Sequence, residues 1–190
     1  MRWLLVFCGA LWVGGAAQAA HRHVVDVGGH QVSYAFSKGV GRAVRLEAES
    51  VILARHETVW RVLTDYEHLA DVVPFVTTSR VIGRDAHAKR LYQEGRIGLL
   101  FFSKSFKVTF RLVEAPPEDI QFESIAGDFT RFNGDWHIEE GEHATLITHV
   151  VELEPKFFVP RWLLKTLEQR VMLETFEAVT QRCVDEDRAR

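Results

Sequence analysis

The chain has 190 residues, 47% of them hydrophobic, 11% aromatic and 26% charged. That composition excludes a disordered tail protein, a collagen-like chain and a disulfide scaffold, and the length fits one domain with a full core. With 23 basic against 26 acidic residues and a formal net charge of -3, no basic field marks a nucleic-acid partner.

The N-terminus reads first as an address. Arg2 is followed by the almost wholly apolar run 4–13 and by small residues ending in Ala17-Gln18-Ala19. This is the order of a secretory signal peptide, with the cut expected after Ala19 and delivery across the inner membrane to the periplasm. An uncleaved anchor is the alternative, although the second half of the segment is only weakly apolar. Cleavage removes Cys8 and leaves Cys183 as the single cysteine, so the exported domain must be held by its core without an internal disulfide. Cys183 itself reads as a packing residue.

Residues 20–43 read as an N-terminal extension with a possible hairpin around Gly28-Gly29. The domain proper is expected over 44–184. In 44–53, Val44, Leu46, Ala48, Ser50 and Ile52 share one face, which is a strand with period two. The period then changes: Val59, Trp60 and Leu63 share a helical face over 56–63, with Glu57 suited to the start of that helix. A second short helix is predicted over 66–72, ahead of Pro74. Strands follow over 77–84, 89–98, 103–113, 119–124, 129–139 and 145–154, separated by turn residues.

From Trp162 to Cys183 apolar residues return to helical spacing. Leu164, Leu167, Val171, Thr175 and Ala178 form one stripe and Met172, Phe176, Val179 and Cys183 its neighbour, while Lys165, Gln169, Glu177 and Gln181 lie elsewhere. A charged, frayed tail is expected over 185–190. Consecutive strands with short turns favour an antiparallel meander, and a long amphipathic helix across its concave face gives an α+β fold. The expected architecture is a helix-grip. A curved antiparallel sheet of about seven strands wraps a long C-terminal helix, and two short helices follow the first core strand.

Three stretches carry a family likeness in this order: Glu57-Thr58-Val59-Trp60-Arg61-Val62-Leu63-Thr64-Asp65-Tyr66-Glu67 with Val73-Pro74-Phe75-Val76, then Gly127-Asp128-Phe129-Thr130-Arg131-Phe132-Asn133-Gly134-Asp135-Trp136, then Val151-Glu152-Leu153-Glu154-Pro155-Lys156-Phe157. With these the chain resembles the START-like (SRPBCC, helix-grip) superfamily, especially its coenzyme-Q-binding and polyketide cyclase/lipid-transport branch. The resemblance spans residues 44–183 and implies a hydrophobic cavity for a lipid, quinone, sterol or polyketide-like molecule. It implies no reaction, because the superfamily holds both carriers and enzymes.

The strands themselves are one-sided. Phe106, Val108, Phe110 and Leu112 share a face against Lys107, Thr109 and Arg111, and Ile120 and Phe122 oppose Gln121 and Glu123. Such faces build either a closed core or a lined pocket, and periodicity does not separate the two. Phe129, Phe132 and Trp136 surround Asn133-Gly134, which reads either as a hairpin or bulge or as part of a cavity mouth. Arg131 is then available for a polar head or for a surface pair. His149 falls on the inner face by parity and needs a hydrogen-bond partner there, either a ligand head or a protein group. Leu167 and Val171 complete the expected ligand-binding set from the helix. The apolar corners 99–102 and 157–162, with Lys104, Lys156 and Arg161 beside them, either cap the core or make transient contact with a membrane.

The sequence has no G-x-S-x-G, H-E-x-x-H, phosphate loop or cysteine pair, and no catalytic residue, metal or cofactor is assigned. Asp65, Glu67 and His68 read as capping or surface groups. The expected function is non-catalytic binding or transport of a hydrophobic small molecule, a lipid or quinone. A cyclase- or dehydratase-like enzyme in the same cavity, with His149 as its titratable group, and an envelope interaction module are the alternatives.

Overall fold

The computed structural model describes residues 22–99, 102–142 and 144–190. The expected signal segment, and Leu100 and Phe101 of the first apolar corner, lie outside the described residues. The elements in order are β1 (His23–Val27), β2 (His30–Lys38), β3 (Val44–Ile52), α1 (His56–Thr64), a 3-10 turn (Tyr66–His68), α2 (Leu69–Val72), β4 (Val76–Arg84), β5 (Lys89–Leu99), β6 (Phe102–Ala115), β7 (Asp119–Gly127), β8 (Phe129–Glu140), β9 (Thr145–Pro155) and α3 (Arg161–Arg188).

The nine strands form one antiparallel sheet in the order β1-β2-β3-β9-β8-β7-β6-β5-β4. The run from β4 to β9 is a meander, and β9 then pairs with β3 from Val44↔Leu153 to Ile52↔Thr145. The sheet therefore has nine strands rather than about seven. The two extra strands are the hairpin of the N-terminal segment, which pairs with the free edge of β3 from Val32↔Ser50 to Lys38↔Val44. Val32 and Tyr34 bury their side chains in the core, and the pairing satisfies an edge that would otherwise stay open. Gly28 and Gly29 both have positive φ at the β1–β2 turn, a conformation that glycine adopts without strain.

In β3 the alternation is explicit: Val44, Leu46, Ala48, Ser50 and Ile52 are buried, while Arg45, Glu47 and Glu49 lie toward the outer surface. The long helix α3 packs against β1, β2, β3 and β5 and against α1 and α2. At about 1.5 Å per residue its 28 residues span about 42 Å, enough to cross the whole concave face. Its end departs from the expected frayed tail. The helix continues to Arg188 because Asp187 accepts hydrogen bonds from Thr58 Oγ1 (2.6 Å) and Arg55 Nε (2.9 Å), and Glu186 pairs with Arg61 (2.6 Å). Cys183 is fully buried in the main core, and burial pushes its thiol up to about 12. Among the described residues no helix is long and apolar enough to cross a membrane.

Candidate functional site

Between the concave face of the sheet and α3 lies a cavity of about 240 Å³. Voids in close-packed interiors are few and rarely larger than a water molecule, so a space of this size is no packing defect. Every element from α1 onward contributes to its wall. The segment from α1 to β4 supplies Leu63, Tyr66, Leu69, Val73, Phe75 and Val76; β5 supplies Leu91, Gln93 and Ile97. Strands β6 to β9 supply Phe106, Phe110, Leu112, Ile120, Phe122, Phe129, Phe132, Trp136, His149, Val151 and Leu153. From α3 come Leu164, Leu167, Glu168, Val171, Met172, Thr175 and Val179.

Nine of the eleven residues expected from sequence stand on this wall: Phe106, Phe110, Phe122, Phe129, Phe132, Trp136, His149, Leu167 and Val171. The aromatic members form a continuous edge-to-face arc. Centroid separations are 5.5 Å for Phe106–Phe129, 5.0 Å for Phe129–Phe132, 5.0 Å for Phe110–Phe132 and 5.4 Å for Phe110–Phe122. Such contacts hold the rings in fixed orientations and make the wall stiff. Val108 is fully buried in the same cluster but does not reach the cavity.

Arg131 is the departure. It stands on the outer face of the sheet, where its Nε lies 3.8 Å from Glu152, a carboxylate that also neighbours Arg45. The cause is a register shift between Phe129↔Pro155 and Arg131↔Glu154. Strict alternation would put Phe129 and Arg131 on one face and Phe132 on the other. The bulge breaks that parity, so both phenylalanines face inward and the arginine faces out. A locked turn fixes this geometry. Asp128 accepts from the Lys107 amide (2.8 Å), its own amide donates to Lys107 O (2.9 Å), and Lys156 Nζ donates to Gly127 O (2.8 Å).

Asn133-Gly134 makes no hairpin. Both residues lie inside β8, and Gly134 pairs with Phe122 in register. A side chain at 134 would collide with Val150 O and come within 2.7 Å of Phe122 Cζ. The glycine there makes room for a cavity-wall ring.

His149 pairs across the strands with Trp136 and stacks on its indole at 3.9 Å, with the planes 14° apart. Its Nδ1 lies 2.9 Å from Asp135 O. A carbonyl only accepts, so Nδ1 carries the proton and Nε2 is left as an acceptor in the neutral ring. Burial pulls its pKa down to about 4, partly offset by that hydrogen bond. The side chain is half-buried and lines the cavity, and the ring is uncharged at neutral pH. Its partner is therefore a backbone carbonyl, one of the two kinds the sequence left open.

Tyr66 donates its hydroxyl to Glu114 (2.7 Å), which Lys89 also reaches. Burial first, then that carboxylate, raises the phenol out of the physiological range. Glu168 is the group that sequence reasoning missed. It is 6% exposed on the cavity wall, and among the described residues neither carboxyl oxygen has a hydrogen-bond partner. Burial raises its pKa to about 9 against the smaller opposing effect of Lys165, so it is a neutral acid at pH 7. The signal was present: residue 168 lies four before Met172 and four after Leu164, inside an otherwise apolar stripe.

Asp65 and His68 pair with each other at 2.7 Å in solvent, and His137 pairs with Asp119 on the outer face. Among the described residues no group of three or more His, Cys, Asp or Glu side chains is placed to hold a metal ion.

Several solved structures share this architecture. Human StAR-related lipid transfer protein 5 is 11% identical, with 89% of each chain covered and a TM-score of 0.68. A STAR-related lipid transfer protein from Xanthomonas axonopodis is 16% identical, covering 85% of this chain and 98% of that one, with a TM-score of 0.64. The Zhui aromatase/cyclase from Streptomyces sp. R1128 is 15% identical, covering 78% and 96%, with a TM-score of 0.66. At these identities the likeness is one of fold. No curated protein matches the sequence significantly. The family described as polyketide cyclase / dehydrase and lipid transport does match, over residues 52–180, from the last residue of β3 to the buried part of α3. That match covers more than half of the chain and every strand of the meander around the cavity, and the chain belongs to this START-like family of the SRPBCC superfamily.

Proposed function

We propose that the protein binds and carries a hydrophobic small molecule, a lipid or quinone, in the cavity between sheet and α3, without chemical conversion. The observation that carries this reading is the wall itself: a stiff aromatic and aliphatic surface whose titratable members, Tyr66, His149 and Glu168, are all uncharged at neutral pH. Burying the ligand is the driving force, at about 0.8 kcal/mol for each methylene removed from water. Lipid transfer is named for two of the structurally similar proteins and for the family, which supports the carrier role. The apolar signal-like segment at the N-terminus supports export to the periplasm.

Transient contact with a membrane belongs to the same reading. Phe158 and Trp162 are 78% and 65% exposed at the start of α3, beside Lys156, Arg161 and Lys165. An apolar pair within a basic rim suits a lipid surface, with docking that is reversible because few side chains are buried.

The test is native mass spectrometry of the purified protein, with solvent extraction of what co-purifies. A stoichiometric lipid or quinone is expected, and the double variant Phe129→Asp, Phe132→Asp should lose it. An empty protein that also binds nothing from a lipid and quinone panel would overturn the reading. The likeness to an aromatase/cyclase keeps one rival in view. Turnover of an apolar substrate that disappears in His149→Ala while binding persists would establish that rival instead.

A further inference from the structure

Of the titratable groups on the cavity wall, two are committed to protein partners. Tyr66 donates to Glu114, and His149 donates its Nδ1–H to the Asp135 carbonyl, which leaves it no second donor. Among the described residues Glu168 has no hydrogen-bond partner, though it is 6% exposed and both its oxygens are enclosed. The other buried side-chain atom without a partner among the described residues, Nε2 of His56 at the start of α1, is not on the wall. A buried donor and acceptor left unmade is costly, and an apolar residue would fill the position between Leu164 and Met172 without that cost. The cost is recovered when a ligand supplies the partner.

We infer that Glu168 is the head-group contact of the cavity, its carboxyl hydrogen-bonding a neutral ligand oxygen, a carbonyl or hydroxyl, on an otherwise apolar molecule. The inference rests on the cavity-binding reading above and names the ligand chemistry for it. A protonated carboxyl offers one O–H donor and a second oxygen as acceptor, so it serves either kind of head. A cationic head fits poorly. It would require Glu168 to ionise in an apolar wall, and the ammonium of Lys165, three residues before it, would oppose a second cation. Among the described residues the wall offers such a cation no other carboxylate, and the nearby Glu114 is held by Tyr66 and Lys89. A hydrogen bond to a neutral oxygen needs no charge on either side.

The experiment is equilibrium dialysis at pH 7 with 9-fluorenone and fluorene, one frame with and without a carbonyl, and with 9-aminofluorene. It uses the purified protein and its Glu168→Gln and Glu168→Leu variants. The protein should favour the ketone over the hydrocarbon by about tenfold. Glu168→Gln, which keeps a donor and an acceptor, should retain that preference. Glu168→Leu should lose it while still binding fluorene. Equal affinity for ketone and hydrocarbon, or a preference that survives Glu168→Leu, overturns the inference and leaves the carrier reading standing. Tightest binding of the amine, lost in Glu168→Gln, overturns it in favour of an ionised carboxylate. Failure of all probes with all three proteins overturns the cavity-binding reading as well.

Discussion

Along α3, Phe176 and Cys183 are packed into the main core with residues of α1, β2 and β3 and, for Phe176, the Trp136 ring, and the last turn is pinned to α1 through Asp187 and Glu186. Glu168, about two turns before Phe176, and Val171 have the same inward direction, yet they line the cavity. What differs is what stands opposite. The C-terminal part meets α1 and the main core, and the first turns close on Val44, Val159 and Leu153. Between them the inward side chains line the cavity. Both ends of the helix hold the fold together and its middle walls the cavity.

The largest expected effect lies in the packed C-terminal part. Phe176→Ala should cost about 3–5 kcal/mol in urea unfolding, because the hole it leaves is ringed by fixed side chains. Val171→Ala, five residues earlier, should cost about 1 kcal/mol or less, since it only enlarges a space already present. Equal losses at both positions would mean that the two stretches are packed alike.

Next in size is the dependence of stability on pH, carried at the cavity by two groups of opposite sign. Glu168 is raised on folding from 4.5 to about 9, so its contribution is fully present below 4.5 and is lost as pH rises toward 9. Glu168→Gln should therefore stabilise the protein at pH 7, by about 1–3 kcal/mol, and the gain should vanish below about pH 4.5. His149 is lowered from 6.5 to about 4, so its contribution is present above 6.5 and is lost as pH falls toward 4. His149→Gln should flatten the acid side of the profile. Exposed His68 and His137 are raised by their carboxylate partners and act in the reverse sense, so each variant must be compared with the parent at every pH.

The smallest effect on stability belongs at the exposed start of α3. Phe158→Ser with Trp162→Ser should change stability by no more than about 0.5 kcal/mol. Sedimentation with anionic phospholipid vesicles should nevertheless fall severalfold. Unchanged sedimentation would remove membrane contact from the proposed function.

Much of this molecule was legible residue by residue. Parity in β3, β6 and β7 identifies the inner faces, and helical spacing over 162–183 identifies the buried side of α3, because in both cases the period of the chain is also the period of burial. Reading failed where one residue broke the period. At β8 a bulge puts Phe129 and Phe132 on one face and turns Arg131 out, which strict alternation does not allow. In α3 a single charged residue within an apolar stripe passed as noise, since a pattern averaged over about six turns scarcely registers one exception.

By itself the sequence determined the order and type of the elements, the side each turns inward and the family to which they add up. Those follow from local chemistry that repeats along the chain. The tertiary structure alone decided three things: that the N-terminal hairpin joins the sheet, that Arg131 leaves the site, and that the inward faces stop short of closing. Periodicity records which side of an element is apolar and carries no measure of how far away the facing surface stands. That distance is set by the curvature of the sheet, its bulges and the seating of α3 against α1, and it separates a cavity from a core.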